Sequence, residues 1–213
     1  MISNTLDSRA LGFGDCYGQR FMKPGTYRYD VVSAGGGSLV TEHPYTIEVA
    51  EAKGEATMKQ HDVMLTTKER RFVADTEVLT INEGDLVLWA CADPNAHAFE
   101  VSGDQAFFGN AALTNECGYS HAFGTPGRHH WVDALGGPAE GVVSVKEVRC
   151  STPAELASWR KRLSRGTLVM INDGKVEPAE INVVVGQRVF FAVVSTEPMT
   201  ITDSNLVGAC RGD

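Results

Sequence analysis

Apolar and polar positions alternate most clearly between Phe72 and Val148. Leu79, Ile81, Leu86, Leu88 and Trp89 surround a turn at Glu83-Gly84-Asp85, a spacing that predicts two strands meeting at a hairpin. A polar loop follows, with His97 just beyond the second strand. Further on come Phe123-Gly124-Thr125-Pro126-Gly127, a strand with His129 and Trp131, a turn at Gly136-Gly137-Pro138, and a last strand at Gly141–Val145. Near the N-terminus, Phe21 to Tyr29 and Tyr45 to Val49 repeat the closing half of this pattern, with Gly35-Gly36-Gly37 between them. Near the C-terminus, Ile181 to Phe191 repeats its opening half. A single helix is predicted from Ser151-Thr152-Pro153-Ala154-Glu155, which offers a hydroxyl cap, an early proline and an early acid. It runs to Leu163, with Leu156, Trp159 and Leu163 on one face, and that stripe is expected to rest on the adjoining sandwich.

A constant offset of 102 residues relates the two ends to the middle. It pairs Tyr17 with Tyr119, Phe21 with Phe123, Pro24 with Pro126, Gly84 with Gly186, Val87 with Val189 and Trp89 with Phe191. Repeats at a fixed period signal a duplicated structural unit. One whole unit spans residues 57–148, and a half-unit lies at each end. Half a sandwich leaves apolar faces and strand edges open, so residues 1–50 are expected to combine with 166–213, with residues 151–165 as a linking helix. The combination occurs within one chain, as a circularly permuted domain, or head-to-tail between chains.

Composition narrows the classes. A formal net charge of −8 argues against nucleic acid as a partner. No apolar run is long enough for a membrane span, and no secretory signal is present, so the default expectation is a cytoplasmic protein. Cys16, Cys91, Cys117, Cys150 and Cys210 are an odd set without a CxxC pair, which predicts free thiols. No nucleophile elbow, P-loop or dinucleotide fingerprint occurs. The terminal Arg211-Gly212-Asp213 matches an integrin-binding tripeptide, a match of three residues that is common by chance.

The order strand, Gly-Asp, V-x-W, histidine, F-x-x-P-G, aromatic strand and G-x-V-x-V resembles the cupredoxin (plastocyanin-like) family. The resemblance implies an all-β chain of two cupredoxin-like Greek-key β-sandwiches with one short helix. It also implies where a metal would sit, since copper in that family is held by two histidines, a cysteine and usually a methionine. His97 matches the first ligand. The cysteine position falls at Asp133, the second histidine near Gly136 and the methionine near Ala139. In the composite unit Met199 stands for the histidine and Val31 for the cysteine. A blue copper centre is therefore not available in either unit.

Two readings remain. The first is a non-catalytic structural or accessory subunit without a cofactor, docking on a protein partner or on itself. The second is a metal-binding or electron-transfer protein in which His97, Asp133 and Glu140 hold copper or zinc. His121 and His129 are expected to share one face as a surface polar ladder, while His129 and His130 point to opposite faces. Cys117-Gly118-Tyr119-Ser120-His121 lacks the first cysteine of the binuclear-copper motif it partly matches, since Leu113 stands there.

Overall fold

A computed structural model describes residues 5–35, 43–52, 58–69 and 71–210. Gly36, Gly37 and the Arg-Gly-Asp tripeptide lie outside the described residues. The first half of the chain contributes β1 (Cys16–Arg20), β2 (Gly25–Ser33), β3 (Tyr45–Ala50), β4 (Gln60–Lys68), β5 (Arg71–Ala74), β6 (Val78–Asn82), β7 (Leu86–Cys91) and β8 (Phe99–Gly103). The second half contributes β9 (Cys117–Ala122), β10 (Gly127–Val132), β11 (Glu140–Lys146), α1 (Pro153–Leu163), β12 (Thr167–Asn172), β13 (Lys175–Glu177), β14 (Glu180–Val184), β15 (Arg188–Val194), β16 (Thr202–Asp203) and α2 (Ser204–Cys210). The chain is mostly β, as expected, and α2 is an addition that the apolar pattern did not reveal. No helix of the described residues is long and apolar enough to cross a membrane.

The strands form three sheets. One has eight strands in the order β13-β12-β15-β9-β1-β7-β4-β5. Two four-stranded sheets, β6-β3-β2-β8 and β14-β11-β10-β16, belong to the first and second half respectively. Inner faces meet through large aromatic contacts, Tyr29 of β2 on Trp89 of β7 and Trp131 of β10 on Phe191 of β15, each with ring centroids 5.5 Å apart. Period-2 alternation accounts for this. In β7 the inward Val87 and Trp89 are 0% exposed, and the neighbours between them are only half-buried.

Strand pairing departs from the expected partition. Residues 1–50 do not build a sandwich with 166–213. Instead β1 pairs with β7, β2 with β8 and β3 with β6, all within the first half. Likewise β9 pairs with β15 and β11 with β14 in the second. Each closing half thus folds onto the opening half that follows it in sequence. That choice closes shorter loops than one joining the two chain ends, and so costs less chain entropy. Parallel pairs recur at matching places, β4 with β7 and β12 with β15.

The chain ends do meet, through a much shorter element. Asp7 bridges Thr202, and Ser8 N donates to Ile201 O at 2.9 Å. Gly109, 102 residues after Asp7, bridges Ser102 of β8. The segment leading into each half therefore covers an edge strand of the other half, which leaves β8 and β16 less open to foreign strands.

The turn at Glu83-Gly84-Asp85 forms, with Gly84 at φ 87°, a region open to glycine, but the expected hairpin does not: β6 pairs with β3 and β7 with β1 and β4, so the turn carries the chain from a four-stranded sheet to the eight-stranded one. Asp85 fixes it. Burial pushes its carboxyl up, but the N–H groups of Asn82 and Lys59 and the imidazole of His61 outweigh this and hold it below the usual carboxylate range. Gln187 does the equivalent work at the turn between β14 and β15, accepting from Val184 N. A folded-state value below the unfolded one stabilises above the unfolded value, about 3.9, and the contribution is lost as pH falls through the folded value. Asp85→Asn should therefore melt below the wild type at pH 7, and thermal melts should show the gap closing as pH falls from about 4. A gap unchanged to about pH 2.5 would contradict this account.

The helix α1 begins as its sequence predicts. Thr152 Oγ1 accepts from Glu155 N, and the Glu155 carboxylate accepts from Thr152 N, a reciprocal capping box. Trp159 Nε1 donates to Val185 O at 2.8 Å, which ties the helix to the turn between β14 and β15.

Candidate functional site

The three residues expected to share a metal are held apart by different structural duties. His97 lies in the first half, its ring 4.8 Å from Phe72 and its Nε2 2.6 Å from Ser33 Oγ. Asp133 and Glu140 flank the β10–β11 loop of the second half. Glu140 begins β11, opposite Val132, with its side chain exposed. Asp133 is 7% exposed, and four donors use its carboxylate. Leu135 N, Thr200 N and Thr200 Oγ1 donate to Oδ1 at 2.9–3.1 Å, and Gly137 N donates to Oδ2 at 3.1 Å. Among the described residues no group of three or more His, Cys, Asp or Glu side chains is placed to hold an ion.

Asp133 also floors a cleft of about 250 Å³ between the β10–β11 loop and the segment before β16. Leu135, Pro138, Asp173, Glu197 and Met199 line it. Met199 was expected to replace His97 of the other unit. The bridges place it differently, because Leu11 pairs with Phe99 and Leu113 with Met199. Met199 thus corresponds to Phe99, and Glu197 falls where His97 does.

A second polar group sits at the seam between the halves, where β1 and β9 pair through Tyr17↔Tyr119 and Gly18↔Gly118. His121 is 0% exposed, so it does not belong to a surface ladder. Its Nδ1 lies 2.8 Å from Asp15 Oδ1, and Asp15 Oδ2 accepts from Gly12 N. The Tyr119 hydroxyl is 3.3 Å from the same Nδ1. At the equivalent place Tyr17 donates to Gln19 Oε1 at 2.7 Å. His129 stands apart against Phe123 and donates to Thr125 O. Tyr119, His121 and Asp15 gather at a strand pairing that the apolar pattern alone does not predict. The one sequence signal was the 102-residue offset that sets Tyr17-x-Gln19 on Tyr119-x-His121.

Cys16, Cys91, Cys117 and Cys150 are free thiols. Burial pushes Cys117 up to about 12 and raises Cys16 and Cys91 as well. A thiol held protonated is a poor nucleophile and a poor metal ligand. Cys16 instead shares a contact of 2.9 Å with Ser120 Oγ.

No family model matches this chain, and no curated protein or solved structure matches it either.

Proposed function

We propose that the protein is a non-catalytic structural or accessory subunit, built by tandem duplication of a cupredoxin-like sandwich whose ligand positions have been turned to holding the fold. The observation that carries this reading is Asp133. It stands where the family places its cysteine, and its carboxylate is spent on four donors of its own loop and of Thr200. His97, at the first ligand position, is likewise engaged with Ser33. The buried thiols lack the depressed pKa of a nucleophile, and in this reading the chain acts through protein contact.

Metal content tests it. Purified protein dialysed against copper or zinc and then against a weak chelator should retain far less than one ion per chain, and His97→Ala should retain the same amount. A stoichiometric ion lost in His97→Ala would overturn the reading in favour of a metal-binding protein centred on His97, Asp133 and Glu140.

A further inference from the structure

We propose that the exposed cationic face around α1 is a docking surface for a short acidic segment of a protein partner. The inference rests on the reading above, that the chain acts through protein contact, and it names the chemistry of what is contacted.

Charge is distributed unevenly along the chain. Residues 146–165 hold Lys146, Arg149, Arg160, Lys161, Arg162 and Arg165 against two acids, Glu147 and Glu155. That stretch carries a formal +4, so the rest of the chain, whose total is −8, carries −12. All six cations are exposed. Among the described residues none of them forms an ion pair; the lysine and arginines that do, Lys175, Arg9, Arg20 and Arg128, lie elsewhere. The helix dipole favours Arg160, Lys161 and Arg162, which stand in the last turn of α1. It gives no reason for Arg149, which precedes the N-cap Thr152 at the positive end of the helix.

Arg149 and Arg162, from opposite ends of the helix, line one cleft of about 230 Å³ between α1 and the chain leaving β11. Ser158 and the half-buried Trp159 line it too, with Glu147 and Glu155. Glu155 is committed to the helix cap, its carboxylate accepting from Ser151 N and Thr152 N at 2.9 and 3.0 Å. Two guanidinium groups thus share the cleft with the single uncommitted carboxylate of Glu147. Trp159 adds an apolar wall, fixed by its bond to Val185 O. Guanidinium groups bind carboxylates through paired N–H donors, so the cleft suits the side chains of Asp and Glu.

The same observations choose the occupant among anions. A membrane-surface helix inserts apolar side chains beside its cations, and α1 has none to spare. A Cβ at Gly186 would stand 3.4 Å from Leu163 and 3.5 Å from Trp159, so that stripe already rests on the turn between β14 and β15. A bilayer or a nucleic-acid duplex also extends past the patch and meets the acidic remainder of the chain. An extended peptide does not. The 11 residues of α1 are about 16 Å long, the span of about five extended residues. A segment that short touches the cationic face alone.

Trp159 reports binding, because Trp89 and Trp131 are at most 2% exposed. Octaglutamate added to the full chain at about 50 mM salt should shift the Trp159 emission and protect it from acrylamide, and about 300 mM salt should weaken binding roughly tenfold. Arg149→Ala and Arg162→Ala should each weaken it about threefold to fivefold. Reversing both to Glu should abolish it, with a melting temperature held within a few degrees because both positions are exposed. Lys23→Glu with Lys68→Glu, exposed cations away from α1, should leave it intact. No saturable binding would overturn the proposal. So would binding that the reversed variant retains, or equal binding to phosphatidylserine vesicles or a DNA duplex. A mass that grows with concentration at low salt would make a second copy the occupant, and would overturn it too. Metal content, measured separately, decides the reading beneath it: a metal-free protein that ignores octaglutamate refutes the docking surface alone, and a stoichiometric metal refutes the non-catalytic reading.

Discussion

Asp133→Ala should lower the stability of the protein by about 3–5 kcal/mol, because a buried carboxylate with four donors is removed and those donors are left unpaired. For a chain of this size the melting temperature should fall by roughly 10 °C. Asp133→Asn keeps an acceptor for Thr200 but turns a donor toward Gly137 N or removes the charge from that bond, so a smaller loss of about 1–2 kcal/mol is expected. The decisive comparison is with a chelator. If Asp133 held a metal, stripping the wild type would reproduce much of the alanine effect, since binding to the folded state adds directly to stability. If Asp133 is a loop clamp, the wild type melts at the same temperature with and without chelator, and the alanine variant melts lower in both. Differential scanning calorimetry on the three proteins separates the outcomes.

Local features were legible in the sequence and long-range ones were not, for a physical reason. The Gly84 turn, the capping box of α1 and the strands around Trp89 and Trp131 are each specified by residues close in sequence, so pattern and propensity suffice. Which closing half joins which opening half depends on comparing pairings that bury similar apolar faces. Met199 shows a related limit: two residues fewer before β16 shift it from the place of His97 to that of Phe99, although the offset of 102 holds up to Phe191. His121 was misplaced because a histidine beside a polar hairpin reads as exposed. Only the pairing of β1 with β9 brings Asp15 to its Nδ1 and closes solvent off.

The two halves should unfold as one cooperative unit, and neither half should fold alone. They share the β1–β9 ladder from Cys16↔Ser120 to Gln19↔Cys117. They also share the buried His121–Asp15 contact and the segment around Ser8, whose carbonyl accepts from Asn110 of the same half. Ser8 in turn accepts from Ile201 N at 3.1 Å. Cutting between residues 110 and 111 would strip β1 of one neighbour, remove the segment that covers β16, and separate the buried Asp15 from His121 and Ile201 from Ser8. At about 1 kcal/mol per hydrogen bond, with more for the buried polar groups left unpaired, the loss is on the order of 5–10 kcal/mol, comparable to the whole stability of a typical domain. Fragments 1–110 and 111–213 should therefore give no cooperative melt separately, and regain the circular dichroism of the intact chain when mixed. In the intact chain, amide exchange should protect β4 and β12, one deep in each half, by the same free energy within about 1 kcal/mol, since both open only in global unfolding. Two separate transitions, or a fragment that melts cooperatively near the temperature of the whole, would mean that each sandwich is self-sufficient and that the shared sheet adds little. The Asp7–Ser8 segment argues otherwise, because the second half borrows the covering of β16 from the first.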